Sequence, residues 1–279
     1  MGERLERVLA GRILINGKAP TEWLQTGDLL EYLHLREDEA DLADTPLVIL
    51  YEDDDLLAIS KPPHLPVSPG GRFYFCCLAI LAKERFGLPE LSPMHRLDLE
   101  TSGVLLFGKN KLARTQIQPL FELHQIEKLY EAITFGDPGL EPIEGDMVPL
   151  VGSKIHSKQT LIPADEPRSK TKILSVEPFG PYFLIKLAPL TGKTNQLRVH
   201  LAHRGAPIVG DKKYYPDEQV YLDWFDHRQL EPLLERLKLH RQALHCQALA
   251  FENPLTRKPL QLQDDRILWE ETLTQIRDL

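Results

Sequence analysis

The sequence predicts an α+β fold, in which a mixed and largely antiparallel sheet carries flanking helices. Predicted strands and helices are interspersed without the regular strand-helix-strand rhythm of a doubly wound sheet. Several predicted strands also follow one another directly, which favours pairing in hairpins. With 279 residues, of which 42% are hydrophobic, the chain can bury one large core and still carry a small additional unit.

The first 44 residues are predicted to form a separate small unit that ends in a linker. The pattern from Glu3 to Ala10 indicates a short helix, and Arg12 to Lys18 is an apolar run that ends in an Asn-Gly hairpin signal. Residues 36–44 are rich in acidic side chains and poor in large apolar ones, which is typical of a linker. We therefore place a domain boundary near Asp44, where the main domain of residues 45–279 begins.

The main domain is predicted to contain paired strands and three helices. The predicted strands are Pro46 to Leu50, Leu56 to Ile59, Leu129 to Phe135, Lys172 to Val176, Tyr182 to Leu187, Ala243 to Phe251 and Leu260 to Gln263. The predicted helices are Phe73 to Phe86, Lys111 to His124 and Asn195 to Arg204. Cys76 and Cys77 fall on the first of these helices, where we expect small core side chains rather than a reactive vicinal pair.

Charge is distributed unevenly along the chain. The formal charge of −8 argues against a protein that coats nucleic acid without specificity. Residues 147–213, however, hold 11 basic and 4 acidic side chains, a local charge of +7. This segment is either a face that binds a polyanion or an ordinary solvated basic surface, and charge alone does not decide between them.

The sequence disfavours membrane and secreted proteins. No apolar run approaches the roughly 20 residues that a membrane-spanning helix needs, and the amino terminus has no signal segment. The three cysteines form no Cys-x-x-Cys pair. We therefore expect a cytoplasmic protein that does not contact a membrane.

Three common chemical motifs are excluded. Thr191-Gly192-Lys193-Thr194 ends like a phosphate-binding loop, but position 187, where that loop needs a glycine, is Leu. His200 and His203 have no third metal ligand at a suitable spacing. A serine hydrolase is disfavoured because no Gly-x-Ser-x-Gly elbow occurs.

A polar loop that runs directly into an apolar strand is the strongest candidate for a site. It comprises Pro93 to Ser102 and presents Asp98 close to the start of a strand that ends at Phe107. From this pattern alone, Asp98 is either a functional carboxylate or a turn cap for Thr101 and Ser102.

The same loop resembles a known signature. His95-Arg96-Leu97-Asp98, followed after two residues by Thr101-Ser102-Gly103, resembles the motif of the RluA-type pseudouridine synthases, which isomerise uridine to pseudouridine in structured RNA. Four further segments are similar to this family and occur in its order, so the resemblance spans about residues 46–265. They are Ile59 to Val67, Lys128 to Ala132, Thr191 to Leu201 and Gly210 to Tyr214.

The resemblance implies the pseudouridine synthase catalytic fold and a role for each matching residue. Asp98 is implied to be the nucleophile or, in a competing proposal for the family, the base that removes a ribose proton. Arg198 is implied to pair with and orient Asp98, and Tyr130 to stack on the flipped uracil. Arg96 is implied to fill the space that the extruded base leaves. Further implied RNA contacts are His95, Lys61, Thr101, Lys193, Asn195 and Gln196.

Two regions depart from the family pattern. Lys193 and Asn195 stand where the family usually has Arg and His, which affects substrate contacts but not the chemistry. Residues 1–44 resemble a shortened form of the small RNA-binding module, related to a ribosomal protein, that precedes the catalytic domain in many relatives. With its acidic charge, this module is either a remnant that no longer binds phosphates or one that lacks its first helix.

The resemblance also implies the partners. RNA is the expected partner, with ribosomal RNA preferred to transfer RNA. No cofactor or metal is expected, because the isomerisation involves no net redox change. The protein is expected to be a monomer, because no additional amphipathic helix or heptad pattern indicates a partner. The +7 segment becomes the expected wall of a phosphate-lined groove. Nine of its eleven basic residues are Lys154, Lys158, Lys170, Lys172, Lys193, Arg198, Arg204, Lys212 and Lys213. An alternative is a noncatalytic RNA-binding ribosome assembly factor, and a carboxylate hydrolase is a weaker one because no second acid has the required spacing.

Overall fold

A mixed sheet of eleven strands forms the centre of the protein. The structure is a computed structural model that describes residues 12–20, 25–33, 39, 42, 44–70, 73–227, 229 and 231–265. The predicted helix from Glu3 to Ala10 lies outside these residues, as do most residues of the predicted linker.

The described part of the amino-terminal unit is a separate two-stranded sheet. Strand β1 (Ile13–Ile15) pairs antiparallel with β2 (Leu30–Tyr32). Asn16 and Gly17 both have positive φ, 53° and 75°, which is the conformation of a tight hairpin turn. The predicted Asn-Gly turn is therefore confirmed, and the main partner of β1 is a strand further along the chain.

The large sheet is mostly antiparallel. Along its main path the strand order is β3-β4-β6-β12-β7-β11-β10-β8-β9, while β5 pairs with β6 and β13 with β12. Only the β6–β12 pair is parallel among the described strands. The strands are β3 (Val48–Glu52), β4 (Leu56–Lys61), β5 (Ser92–Pro93), β6 (Ser102–Gly108), β7 (Glu127–Thr134), β8 (Ile143–Pro149), β9 (Gln159–Ile162), β10 (Ser169–Phe179), β11 (Tyr182–Pro189), β12 (Leu244–Asn253) and β13 (Lys258–Gln263).

This sheet confirms the predicted α+β class and the predicted hairpins. The strands β3 and β4, β10 and β11, and β12 and β13 are each joined by a short turn and pair antiparallel. The central strands β4 and β6 are buried along their whole length, which explains their continuous apolar character. The core therefore lies around the strands that flank the Asp98 loop.

Five helices accompany the sheet in the described chain. They are α1 (Leu78–Phe86), α2 (Lys111–Glu122), α3 (Gln196–His203), α4 (Gln219–His227) and α5 (Leu234–Leu237). The side chain of Asn110 caps α2 by accepting a hydrogen bond from the Ala113 amide at 2.9 Å. As predicted, α2 tolerates Pro119, and α3 is followed by Gly205 in a left-handed conformation.

The prediction for the first helix of the main domain was wrong at its start. The helix begins at Leu78, so Cys76 and Cys77 precede it, and Cys77 is extended with φ −130° and ψ 156°. The amides of Leu78 and Ala79 donate instead to the carbonyls of Pro66 and Val67, at 2.8 and 2.9 Å. Both cysteines are buried, as expected for core side chains.

The acidic segment before the main domain has one defined anchor. The Glu39 carboxylate accepts hydrogen bonds from three successive amides, those of Tyr74, Phe75 and Cys76, at 2.6 to 2.8 Å. These bonds hold residues 74–76 in a non-helical conformation, which is a second reason why α1 begins late. They also tie residue 39 to the main domain.

Candidate active site

The loop before β6 is held in place by two side chains that the sequence suggested as RNA contacts. The ring of His95 stacks on Phe121, with centroids 4.6 Å apart, and its Nε2 accepts a hydrogen bond from the Leu106 amide at 3.1 Å. Burial, with a smaller effect of Lys128, lowers the pKa of His95 to about 3, so the ring is neutral at physiological pH. His95 therefore fastens the loop to β6 and α2.

Lys61 fastens the other end of the same loop. This fully buried ammonium, at the end of β4, donates to the carbonyls of Pro62, Leu99 and Thr101 at 2.8 to 3.0 Å. Burial lowers its pKa to about 7, and the nearby Arg241 adds to this effect. Two of its three acceptors lie just after Asp98, so Lys61 sets the path of the backbone there.

Two glycines allow two loops of the site to approach the backbone at the start of β12 closely. A Cβ atom on Gly103, whose φ is 113°, would clash with the backbone of Cys246 in the parallel β6–β12 pair. A Cβ atom on Gly210, whose φ is 80°, would clash with the carbonyl of Arg241. Because Gly103 lies five residues after Asp98 and Gly210 directly precedes Asp211, both close approaches bring carboxylate-bearing loops to the same end of β12.

Arg198 joins these two loops at the centre of the site. Its Nη1 donates to Asp98 Oδ2 at 3.0 Å and to Asn195 Oδ1 at 2.9 Å. Its Nε and Nη2 donate to the two carboxylate oxygens of Asp211 at 2.6 and 2.8 Å. The predicted pair of Asp98 and Arg198 is thus present, and the carboxylate of Asp98 is not used as a turn cap.

Asp211 is the anchor of this arrangement. Its side chain is fully buried, whereas that of Asp98 is 30% exposed. Burial opposes the charge of Asp211, but the Arg198 guanidinium outweighs burial and lowers the pKa of Asp211 below its ordinary value. The arginine is therefore oriented by a buried carboxylate and presented to a more exposed one.

Tyr130 lies on β7 beside this centre. It is buried and is the direct cross-strand neighbour of Cys246 on β12. Burial, together with the Cys246 thiol, raises the pKa of Tyr130 well above its ordinary value. The phenol therefore stays protonated, and Asp98 is among the charges that act on it.

A second ion pair ties the Asp98 loop to the loop of Asp211. Lys212 Nζ donates to Glu100 Oε1 at 2.6 Å and to the His240 carbonyl at 2.9 Å, and its side chain is almost fully buried. Glu100 Oε2 also accepts from the Gln242 amide at 3.2 Å. The Gln242 side chain donates to Thr101 Oγ1 at 2.6 Å. Thr101 is buried, and its hydroxyl makes this contact within the protein.

The residues of the matching segment Thr191 to Leu201 differ in their surroundings. Gln196 is buried, accepts from Thr191 Oγ1 and the Lys193 amide, and donates to the Lys170 carbonyl and Thr171 Oγ1. Asn195 directly precedes α3 in a left-handed conformation, with φ 59°, and contacts Arg198. The Lys193 side chain is exposed. Gln196 and Asn195 therefore shape the loop and orient the arginine, while Lys193 faces outward.

Arg96 is placed differently from its neighbours in the motif. It is exposed, between the buried Met94 and Leu97, and makes no hydrogen bond or ion pair with any residue in the described ranges. An arginine held by a fixed loop two residues before Asp98 can reach a molecule bound there.

The basic segment divides into paired and unpaired side chains. Lys158 contacts Glu218 at 3.2 Å, Lys170 contacts Glu144 at 3.8 Å, and Arg204 donates to the Pro142 carbonyl. Lys212 pairs with Glu100, and Arg198 pairs with Asp98 and Asp211. Four lysines of the +7 segment have no carboxylate of a described residue within 4 Å: Lys154, Lys172, Lys193 and Lys213.

Sequence reasoning missed Asp211, Glu100, Lys212 and Cys246 as members of the site. Asp211 lies in a segment that resembles the family, and a Gly-Asp pair directly after the apolar Ile208-Val209 is a signal for a buried turn carboxylate. No local sequence pattern indicates that Glu100 pairs with Lys212, which follows it by 112 residues.

The described residues contain no group of three or more His, Cys, Asp or Glu side chains that could hold a metal ion. None of the helices within them is both long and apolar enough to cross a membrane.

Comparison with known proteins shows what this chain is similar to. The family described as RNA pseudouridylate synthase matches residues 55–203, a range that contains Asp98, Tyr130 and Arg198. The chain is 34% identical over 270 residues to an uncharacterized RNA pseudouridine synthase of Chlorobaculum parvum, covering 90% of this chain and 81% of that protein. It is 29% identical to the ribosomal large subunit pseudouridine synthase D of Vibrio cholerae, covering 92% and 80% of the two chains.

A solved structure agrees with these sequence matches. The human RNA pseudouridylate synthase domain containing 4 superimposes with a TM-score of 0.58 at 27% identity, over 82% of this chain and 92% of that one. The likeness thus extends well beyond the range of the family match.

Proposed function

Since the chain belongs to the RluA-type RNA pseudouridine synthases and is an isomerase that converts uridine to pseudouridine in RNA, we propose that Asp98 is its catalytic carboxylate and ribosomal RNA its substrate. One observation carries the assignment of Asp98. Arg198 holds Oδ2 of this carboxylate, while Oδ1 receives no hydrogen bond from the described residues. Asp98 is therefore both oriented and open to a substrate.

The reaction requires one group that acts at the ribose. The bond between C1′ and N1 of uracil breaks, the base turns, and a bond forms between C1′ and C5. C5 then loses its proton and N1 gains one, so the product is an isomer of the substrate. Asp98 acts either as the nucleophile that holds an intermediate or as the base that removes a ribose proton, and both roles use its unoccupied oxygen.

Tyr130 is proposed to contact the flipped uracil, and Arg96 to fill the space that the uracil leaves in the RNA stack. Tyr130 presents a protonated phenol on a strand beside Asp98, which suits a ring that stacks on the flipped uracil and a hydroxyl that takes part in proton transfer. Arg96 is exposed on the same loop, which suits a side chain that replaces the extruded base in the RNA stack. Arg198 acts through Asp98.

For the other residues suggested as RNA contacts, the observed bonds support a positioning role. Lys61, His95 and Thr101 are bonded to the Asp98 loop or to its neighbours, and Gln196 is bonded within its own loop. Asn195 orients Arg198. Lys193 keeps its proposed role at the RNA surface because its ammonium is exposed and has no carboxylate partner among the described residues.

Ribosomal RNA is proposed as the substrate because a relative that aligns with 92% of this chain is described as a ribosomal large subunit enzyme. Such an enzyme works where ribosomes assemble, so we place it in the cytoplasm, as a monomer that uses no cofactor. Residues 1–44 are proposed to be a shortened RNA-binding module, with the catalytic domain at 45–279. Sedimentation at micromolar concentration tests the monomer.

The test of the substrate uses RNA with tritium at C5 of uracil. Ribosomal RNA transcripts, immature ribosomal particles and transfer RNA are each incubated with the wild-type protein, and tritium release to water is measured. We expect release from ribosomal RNA or the particles. Release from transfer RNA alone would contradict the proposed substrate but retain the chemistry. Release from none would favour the noncatalytic assembly factor.

A further inference from the structure

Lys213 occupies a distinctive position next to the catalytic carboxylate. Its backbone amide donates to Asp211 Oδ1 at 3.0 Å, which fixes the turn in which it lies. The preceding Lys212 is turned inward to Glu100, but the Lys213 ammonium lies 5.6 Å from the ring centroid of Tyr214. The Arg198 guanidinium lies 5.2 Å from the centroid of the same ring. Arg198 and Asp98 are also among the charges that act on the Lys213 ammonium, so Lys213 lies close to the Asp98–Arg198 pair.

The charge of Lys213 is not matched by a carboxylate of its own. Asp211 accepts hydrogen bonds from Arg198 through both of its carboxylate oxygens, and Asp98 accepts one through a single oxygen. No carboxylate in the described chain lies within 4 Å of the Lys213 ammonium. Lys213 is also half-buried, and burial followed by repulsion from Arg198 lowers its pKa. A partly desolvated cation without a close anion gains from binding one.

The substrate supplies an anion at this place. Each nucleotide of RNA is flanked by phosphodiesters, and the phosphates next to a flipped uridine are separated from its C1′ only by the ribose. A uridine whose C1′ lies at Asp98 therefore brings its flanking phosphates within reach of the cations that surround Asp98. Lysine binds phosphate as a compact point charge, without the planar geometry that arginine requires.

The other unpaired lysines do not share this setting. Lys154, Lys172 and Lys193 are exposed, so solvent screens their charges. Lys158 acts electrostatically on Lys213 but is itself paired with Glu218 at 3.2 Å. Among the four unpaired lysines of the +7 segment, only Lys213 combines partial burial with a place beside the Asp98–Arg198 pair.

We propose that Lys213 binds a backbone phosphate next to the target uridine and so determines RNA affinity and placement rather than the chemical step. The inference rests on the proposed assignment of Asp98 as the catalytic carboxylate. Loss of one phosphate contact should raise the RNA concentration for half-maximal rate about tenfold in low salt. It should also reduce the slope of log affinity against log salt by roughly 0.7–0.9, the contribution of one neutralised phosphate.

The experiment compares Lys213→Gln and Lys213→Arg with the wild-type protein. Single-turnover tritium release from the preferred RNA is measured over a range of RNA and salt concentrations. Lys258→Gln is the matched control, because Lys258 is exposed on β13 and belongs to the last hairpin of the sheet. We expect Lys213→Gln to shift half-saturation at least five times more than the rate at saturating RNA, Lys213→Arg to restore the salt slope, and Lys258→Gln to resemble wild type.

Two results would overturn the proposal. An unchanged half-saturation and salt slope in Lys213→Gln would show that no phosphate is bound there. A loss of saturating rate with an unchanged salt slope would show that Lys213 instead supports the charge of the Asp98 centre. Failure of the proposed function is distinguishable, because the wild-type protein would then release no tritium from any RNA.

Discussion

Arg198 binds Asp211 through two hydrogen bonds and Asp98 through one. Arg198 makes more hydrogen bonds with the fully buried Asp211, and Asp98, the proposed catalytic carboxylate, receives a single Nη1 contact at 3.0 Å. A guanidinium that is fixed on one side can hold Asp98 without depending on Asp98 for its own orientation. We therefore expect Asp211 to position Arg198, and through it Asp98, for the reaction.

Asp211→Asn should reduce both stability and activity. The substitution keeps the shape but leaves a buried guanidinium without its main counter-charge, which typically costs about 3–5 kcal/mol. Urea denaturation measures this loss, and tritium release at saturating RNA should fall because Arg198 no longer holds Asp98. Asp146→Asn is the control, because its partner Arg168 is 72% exposed and the loss of stability should be much smaller. Equal losses in the two variants would contradict the anchoring role.

The Glu100–Lys212 pair should couple two loops energetically. Glu100→Gln leaves the buried Lys212 ammonium without a carboxylate, so we expect a loss of about 2–3 kcal/mol in the free energy of unfolding. Lys212→Met in the same protein should cost less than it does alone. A double-mutant cycle should give a coupling energy of about 1–3 kcal/mol, whereas additive effects would show that the pair does not join the loops.

Gly103→Ala should be far more damaging than a glycine substitution in open space. At Gly103 a methyl group meets the backbone of Cys246, and the φ of 113° is unfavourable for alanine. Gly139→Ala is the matched control, because its φ of 74° is also positive but no atom lies within 4 Å of the added methyl. We expect about 1–2 kcal/mol for the control, from backbone strain alone, and a substantially larger loss at Gly103. Thermal melting of both variants provides the comparison.

Lys61 should make stability depend on pH in the alkaline range. The folded pKa is about 7 and the ordinary value is 10.5, so between these values the unfolded chain binds the proton and the folded protein does not. The free energy of unfolding should therefore rise with pH from about 7 to 10, relative to Lys61→Met, which has no titrating group at this position. Denaturant midpoints at several pH values test this. Parallel curves for the two proteins would mean that the Lys61 pKa is not lowered.

Local sequence patterns predicted three of the hairpins and the helices α1 to α3, but they did not predict α4, α5 or the β8–β9 pair. Adjacent strands such as β10 and β11 pair through a short turn, so their alternation and turn residues contain the needed information. The start of α1 could not be predicted, because it depends on Glu39 and on the carbonyls of Pro66 and Val67. Those partners are set by tertiary structure.

The candidate site was predictable where a motif matched and not elsewhere. The pairing of Asp98 with Arg198, 100 residues apart, came from resemblance to a family rather than from spacing. His95 and Lys61 lie within matching segments, but their buried contacts depend on how the Asp98 loop packs on β4 and β6. A motif thus marks which residues matter, and the packing shows how each one acts.

Asp98→Asn tests most directly whether Asp98 performs the chemistry. The side chain is partly exposed and makes one hydrogen bond with the described residues, so its loss should change the melting temperature by only a few degrees. Single-turnover tritium release from the preferred RNA should fall below detection in this folded variant. Release at a rate close to that of the wild-type protein, with folding and RNA binding intact, would contradict the account.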